Sequence, residues 1–284
     1  MSPFDSAALI LAATPIGNPD DATARLVAAL AQADLIACED TRRTRDLAKR
    51  LGIQLTARLV AYHEHNEAEL TARLLEAVQR GSRVLQVTDA GMPGVSDPGF
   101  RLAREAAAAN ITFTVLPGPS APTLALVMSG LPTDTFTFVG FLPRKSNAME
   151  RSLQSLRNRY ETLIFLESPR RVHETIATIA RVFGANRPAG LARELTKTHE
   201  EMLRGTLGEL EAELDKRGEV RGEIVIVVAG APKAESQRVD PDLVEKMEQL
   251  IQSGVRAKEA AKIVAEWFGT SANRLYRAGM TDDT

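Results

Sequence analysis

Apolar positions in the first part of the chain fall in short runs separated by longer amphipathic stretches. Leu9-Ile10-Leu11-Ala12-Ala13 reads as a buried strand, and Asp21–Ala33 spaces its apolar residues as a helix does. The pattern repeats in strand Leu35–Cys38 with helix Thr41–Leu51, and in strand Arg58–Tyr62 with helix Glu67–Arg80. Strands Arg83–Val87 and Phe113–Leu116 follow. Gly81 suits a helix C-cap. Asp97-Pro98 predicts an N-cap and a helix over Asp97–Asn110. This alternation predicts right-handed βαβ units on a mostly parallel sheet.

A second block has a different rhythm. Strands are expected at Thr135–Phe141 and Thr162–Leu166, and helices at Ala148–Arg159 and Arg171–Phe183. Strands Ala189–Leu195 and Gly222–Ala229 flank a polar helix near Leu207–Lys216. The break between blocks falls in PGPSAPTLALVMSGLPTD (117–134), whose first part opens a linking helix. APKAESQRVDPD (231–242) reads as a polar linker. Short helices are then expected at Leu243–Gln252, Ala257–Phe268 and Ala272–Arg277. Gly269-Thr270-Ser271 resembles a helix-turn-helix joint, but the balanced charge of this segment favours a capping appendage or dimer element over a DNA reader. The organisation expected is an N-terminal α/β domain over 1–118, a second α/β domain over 119–232, and a helical appendage over 241–284.

Composition narrows the partners. The chain has 284 residues, 44% hydrophobic and 25% charged, with a net charge of -2. That balance gives no global pull towards nucleic acid or acidic membranes, so RNA binding would need local patches. The single Cys38 excludes an intramolecular disulfide and fits a reducing cytosol. MSPFDSAALI is not a cationic-then-apolar leader. No apolar run reaches the roughly 18 residues that span a bilayer. A cytoplasmic protein without membrane contact is expected.

Familiar motifs are missing. ATPIGNPDD (13–21) stands where a G-x-G-x-x-G dinucleotide fingerprint would follow the first strand. GFLPRKS (140–146) lacks the second glycine of a P-loop, and GVSDPG (94–99) misses the nucleophile-elbow spacing. His63 and His65 stand two apart on an extended segment, which puts them on one face but makes only a pair. No third ligand has telling spacing, so no metal is expected. What remains is four Gly/Pro-rich loops at strand ends: ATPIGNPDD, TDAGMPGVSDPG (88–99), LPGPSAP (116–122) and GFLPRKS. Open α/β sheets bind ligands at that edge. Glycine lets backbone approach a ligand, and proline fixes a loop without one. The loops suit a ligand read through backbone groups, with adenine and an amino-acid moiety in one cleft.

The residues in these loops and beyond resemble a known family. ATPIGN, ACEDTRRTR (37–45), YHEHNE (62–67), TDAGMPGVSDPG, LPGPSA, GLPTDTFTFVGFLPRKS (130–146), ESPRR (167–171), ARELTKTHEE (192–201) and RGEIVIVV (221–228) occur in order. They are similar, almost end to end, to the ribosomal RNA small subunit methyltransferase I family of the tetrapyrrole-methylase-like superfamily. Pro19, Met92, Gly94 and Arg170 depart from the usual Leu, Thr, Leu and His. The resemblance implies a two-domain, class III α/β methyltransferase fold. Its first sheet is mostly parallel, its second mixed, and a small helical appendage ends the chain. It implies S-adenosylmethionine in the cleft between domains, and a homodimer. It also implies methylation of a cytidine ribose 2′-hydroxyl in the decoding region of 16S rRNA, within the assembled small ribosomal subunit. Cofactor contacts carried over by motif are Pro15, Asp89, Ala90, Gly91, Val95, Ser120, Ala121, Leu142 and Ala192.

Such a reaction needs alignment, worth about 7–11 kcal/mol, and a base for a weakly acidic hydroxyl, worth about 10²–10⁴ in rate. Asp40 and Glu39 rank first, as base or its orienter. Asp40 is equally well placed to cap the helix that follows. His63, His65, Lys197, His199 and Glu200 are further candidates. Lys197 would hold a substrate phosphate, lower the hydroxyl's effective pKa, or form a surface ion pair. Residues 39–50 hold five basic and three acidic side chains. Arg42, Arg43 and Arg45, with Arg144, Lys145, Arg170 and Arg171, suggest phosphate contacts that position RNA without reading it. Two other readings stay open: a tetrapyrrole ring-carbon methyltransferase, and a non-catalytic ribosome-assembly module that binds the cofactor.

Overall fold

Four-residue apolar runs build the first sheet. Strands β1 (Leu9–Ala12) and β4 (Val84–Val87) are buried at every position. In the computed structural model, which describes residues 2–63, 65–232 and 240–280, they join β2 (Leu35–Cys38), β3 (Arg58–Ala61) and β5 (Phe113–Leu116). All pairings are parallel, in the order β3-β2-β4-β1-β5. Helices α1 (Ala24–Gln32), α2 (Thr41–Arg50), α3 (Glu67–Gln79) and α4 (Phe100–Ala108) cover it. One face packs Ile10, Leu30, Ile36 and Leu85; the other packs Leu9, Leu74, Val84 and Leu102. The chain crosses from one side of the sheet to the other around β1 and β4. Loops leaving such a point diverge and open a crevice.

Helix α5 (Ala121–Ser129) leads to the second sheet. This contains β6 (Phe136–Phe141), β7 (Thr162–Glu167), β8 (Pro188–Arg193), β9 (Glu201–Thr206) and β10 (Ile224–Val228). Their order is β6-β7-β10-β8-β9; β6 and β7 are parallel and the other pairs antiparallel. Helices α6 (Ser146–Leu156), α7 (Val172–Phe183) and α8 (Leu207–Arg217) pack on one face. Side chains alternate across β10 as a strand requires. Ile224, Ile226 and Val228 enter that helical core, while Val225 and Val227 face α5. Ile16, from the loop after β1, is buried in the α5 layer with Ala192, Leu195 and Val225. The two sheets thus share a small core at one end of the crevice.

Two elements differ from the sequence expectation. Strand β9 falls in a stretch to which the sequence pattern assigns no element. Its residues EMLRGT are only half-buried, as an edge strand allows, so no apolar alternation marks it. The helix expected from Asp97 begins instead at Phe100, with Gly99 at the N-cap at φ +138°. Residues 97–99 belong to the preceding loop. The Gly94 N–H donates to the Pro98 carbonyl (3.2 Å), and Gln86 Nε2 donates to the same oxygen (3.1 Å).

Helices α9 (Pro241–Gln252), α10 (Ala257–Phe268) and α11 (Ala272–Gly279) pack around Met247, Val264 and Leu275. Of the expected linker, residues 233–239 lie outside the described residues, as do Glu64 of the YHEHNE motif and 281–284 of the appendage. Among the described residues no helix is long and apolar enough to cross a membrane. No group of three or more His, Cys, Asp or Glu is placed to hold a metal ion among them.

Candidate active site at the strand ends

A cleft of about 540 Å³ opens where the loops of the two sheets face each other. From the first sheet come Ile16, Glu39, Arg43 and the 88–99 loop; Ser120 and Ala121 open α5 beside them. Phe141, Leu166–Pro169 and Gly222–Val225 form the opposite wall. Six residues carried over as cofactor contacts line it: Asp89, Ala90, Gly91, Val95, Ser120 and Ala121. Three do not present side chains to it. Pro15 is buried just before Ile16, Leu142 is buried in the second core just after Phe141, and Ala192 lies in the layer beneath Ile16.

Backbone pairing holds the floor. Thr14 and Gly91 exchange both N–H···O bonds, at 3.0 and 3.1 Å, which ties the first loop to the third. The Thr14 hydroxyl donates to the Thr88 carbonyl (3.1 Å), and the Thr88 hydroxyl to the Gly91 carbonyl (3.2 Å). Ser96 holds φ +64° without being glycine. Such strain concentrates at functional sites.

The two acids after β2 part company. Asp40 caps α2: its Oδ1 accepts from the Arg42 N–H at 2.7 Å. It is absent from the cleft lining, whereas Glu39 is part of it. Asp89 supports this turn by accepting from the Asp40 N–H (3.0 Å), with Arg43 Nε at 3.5 Å from its other oxygen. Burial pushes the Asp89 carboxyl above the usual range, and the Asp40 amide and Arg43 offset this only in part. A carboxyl whose folded pKa is raised binds its proton more tightly in the folded state. Ionising it as pH rises therefore costs stability. Asp89→Asn, which keeps an acceptor for Asp40, is expected to be at least as stable as the parent at pH 7. That advantage should vanish below about pH 4, where both forms are neutral. Thermal unfolding at the two pH values checks this.

The loop after β8 carries a charged cluster. Lys197 Nζ donates to Glu194 Oε1 (2.8 Å) and lies 3.2 Å from Glu223 Oε2. Burial works against its charge, but the two carboxylates outweigh it and raise the ammonium's pKa. A lysine held so is a cation with no lone pair for a proton. Glu200 accepts from the Thr196 N–H (2.6 Å), and the Thr196 hydroxyl accepts from the Asn18 N–H (3.1 Å). His63 and His65 form an edge-on ring pair, centroids 5.8 Å apart, with the His63 N–H donating to Asn66 Oδ1 (2.9 Å). Neither lines the cleft, nor does the exposed His199. Of the seven basic candidates only Arg43 lines it. Arg45 folds back on Thr41 of its own helix.

Comparison with known proteins bears on the same residues. Ribosomal RNA small subunit methyltransferase I of Mycobacterium bovis is 46% identical, over 97% of this chain and 95% of its own length. The protein of that name from Micromonospora olivasterospora is 43% identical, over 95% and 86%. That from Pasteurella multocida is 40% identical, over 96% of each. A sequence profile described as Tetrapyrrole (Corrin/Porphyrin) Methylases matches residues 8–211. The chain belongs to the ribosomal RNA small subunit methyltransferase I branch of the tetrapyrrole methylases. Among solved methylase structures, the methyltransferase CobJ superposes with a TM-score of 0.61 at 21% identity, covering 83% of this chain and 98% of its own. The uroporphyrin-III C-methyltransferase of Thermus thermophilus, complexed with S-adenyl homocysteine, gives 0.52 at 18%, over 77% and 96%. At those identities the likeness is one of fold.

Within this methylase fold, the second wall is what sequence reasoning missed. Leu166–Pro169 and Gly222–Val225 are 56 positions apart but adjacent, because β10 runs antiparallel to β7 with Ile224 opposite Glu167. The conspicuous ESPRR and RGEIV stretches were the available signal. Glu167 is a buried carboxylate among them, accepting from the Ser168 N–H (2.7 Å) and the Thr175 hydroxyl (2.6 Å).

Proposed function

We propose that this protein transfers the methyl group of S-adenosylmethionine to the 2′-hydroxyl of a cytidine in the decoding region of small-subunit rRNA. The observation that carries the reading is the cleft, where six motif positions from two loops converge beside Glu39. Its volume lies within the roughly 300–1,000 Å³ of small-molecule sites. Five carboxylates and one guanidinium line it: Glu39, Asp89, Asp97, Glu167 and Glu223 against Arg43. That lining suits a ligand bearing a sulfonium and an ammonium. It opposes a tetrapyrrole substrate rich in carboxylates.

When bound, S-adenosylmethionine supplies a methyl carbon already activated by its sulfonium. The chain's part is to hold and to deprotonate. Asp89, Ala90, Gly91 and Val95 with Ser120 and Ala121 line the cleft and would hold the cofactor, and the apolar Ile16, Phe141 and Val225 would exclude water. The Glu39 carboxylate would take the hydroxyl proton as the ribose oxygen bonds the methyl carbon, whose bond to sulfur breaks and leaves its electron pair on a neutral thioether. Asp40 and Asp89 fix the backbone that carries Glu39.

The same reading takes the assembled small subunit as substrate, in the cytoplasm, and a homodimer as the working form. Exposed Phe100 (67%) and Val127 (74%) are the kind of surface a second copy would cover. The test is to incubate labelled S-adenosylmethionine and the protein with small subunits from cells lacking this gene, then map the mark. One 2′-O-methyl cytidine in the decoding region is expected. Cofactor binding without transfer would favour the assembly-module reading, and label on a tetrapyrrole would replace the RNA reading.

A further inference from the structure

The cleft lip on the second sheet carries basic side chains that the fold does not use. Arg144 and Lys145 lie between β6 and α6, and Arg170 between β7 and α7; all are exposed. Among the described residues none of the three side chains makes a hydrogen bond or ion pair. Segments LPRKS (142–146) and SPRRVH (168–173) contain no acid to neutralise them. Both segments start at the cleft, since Phe141, Ser168 and Pro169 line it.

Arg171 behaves differently. Its guanidinium donates to the Leu142 carbonyl (3.4 Å) and the Pro143 carbonyl (3.1 Å), and Nη2 lies 3.5 Å from Glu167 Oε2. The Arg171 side chain is 21% exposed and that of Glu167 1%. One side chain thus staples the β6–α6 loop to the β7–α7 turn. The staple joins the two loops that carry Arg144, Lys145 and Arg170, on the wall of the cleft opposite the one that holds Arg43. A cationic rim around a carboxylate-lined interior sorts ligands by charge. It holds a phosphate backbone outside and leaves the interior to a cation.

We propose that Arg144, Lys145 and Arg170 form one phosphate-binding lip for the RNA backbone, and that Arg171 is a positioning residue that holds this lip and the cleft wall without touching RNA. This rests on the RNA methyltransferase reading. Phosphate contacts carry little sequence information, so the lip sets the pose and affinity of the subunit.

The test uses the full-length protein and purified small subunits from cells lacking the gene. Binding is measured between 50 and 200 mM salt, and methyl transfer separately. Each lost phosphate contact lowers the slope of log K against log salt by about 0.7–0.9. R144A/K145A/R170A is expected to lower the slope by about 2–3 and to raise KM for subunits. Its affinity for S-adenosylmethionine should be unchanged. Arg171→Lys keeps the charge but loses the fork. It is expected to weaken cofactor binding and raise the cofactor KM, and to lower the salt slope less than the triple variant does. An unchanged slope in the triple variant overturns the lip. An Arg171→Lys protein with normal cofactor binding overturns the staple. Absence of RNA methylation by the parent protein overturns the enzymatic reading alone, because the salt slope of subunit binding is read without turnover.

Discussion

Glu39→Gln is expected to slow methyl transfer by about 10²–10⁴-fold, the contribution of a positioned base, while S-adenosylmethionine still binds. Strand β2 is buried through Cys38, and the two residues after it leave in different directions. Asp40 is occupied by the Arg42 amide, and its own N–H is fixed by Asp89. Glu39 remains as the carboxylate of this turn in the cleft lining. The neighbour is the control. Asp40→Asn preserves an excellent N-cap and should keep the single-turnover rate, whereas Asp40→Ala should cost about 1 kcal/mol of stability. Single-turnover methylation at saturating cofactor and subunit decides the matter. A Glu39→Gln protein as fast as the parent removes Glu39 from the chemistry.

Gly222→Ala is expected to destabilise the protein by about 2–5 kcal/mol and to widen the cleft. Gly222 holds φ +97°, which a Cβ makes costly by about 1–2 kcal/mol. A Cβ there would also meet Glu194 Cγ at 2.4 Å and Cδ at 2.6 Å. Moving Glu194 aside would break the bonds that it accepts from the Glu223 N–H (2.9 Å) and from Lys197 (2.8 Å). Overpacking of this kind adds about 1–3 kcal/mol. Denaturant unfolding gives the loss. The double variant Glu194→Ala/Gly222→Ala should recover the clash component and leave the backbone component. A single variant as stable as the parent would show that the Glu194 cluster moves freely.

Much of the architecture is legible in the residues. Buried four-residue strands such as LILA and VLQV leave apolar runs too short for helices, and amphipathic segments between them complete each βαβ unit. The misses have physical causes. Edge strand β9 needs no apolar face, so EMLRGT looks like loop. Asp97-Pro98 has the chemistry of a helix start, but Pro98 is held by Gly94 and Gln86, and the start moves to Phe100. The site was half legible. Loops after β1, β4 and β5 announce themselves by glycine and proline. The other wall depends on an antiparallel pairing that no local pattern encodes. Adjacent Arg170 and Arg171 are alike in sequence. Only the carbonyls of Leu142 and Pro143 separate a staple from a free cation.

Strand β10 is the last strand of the second sheet in the sequence and sits at its centre, between β7 and β8. Neither neighbour can complete its ladder until residues 224–228 arrive. A growing chain therefore holds two open strand edges through the whole of β8, β9 and α8. Pairing across such distances is slow, and open edges invite association with other chains. Insertion of β10 closes both edges and brings Gly222–Val225 to the cleft in one step. Ligand competence and protection from aggregation are thus acquired together, late in folding.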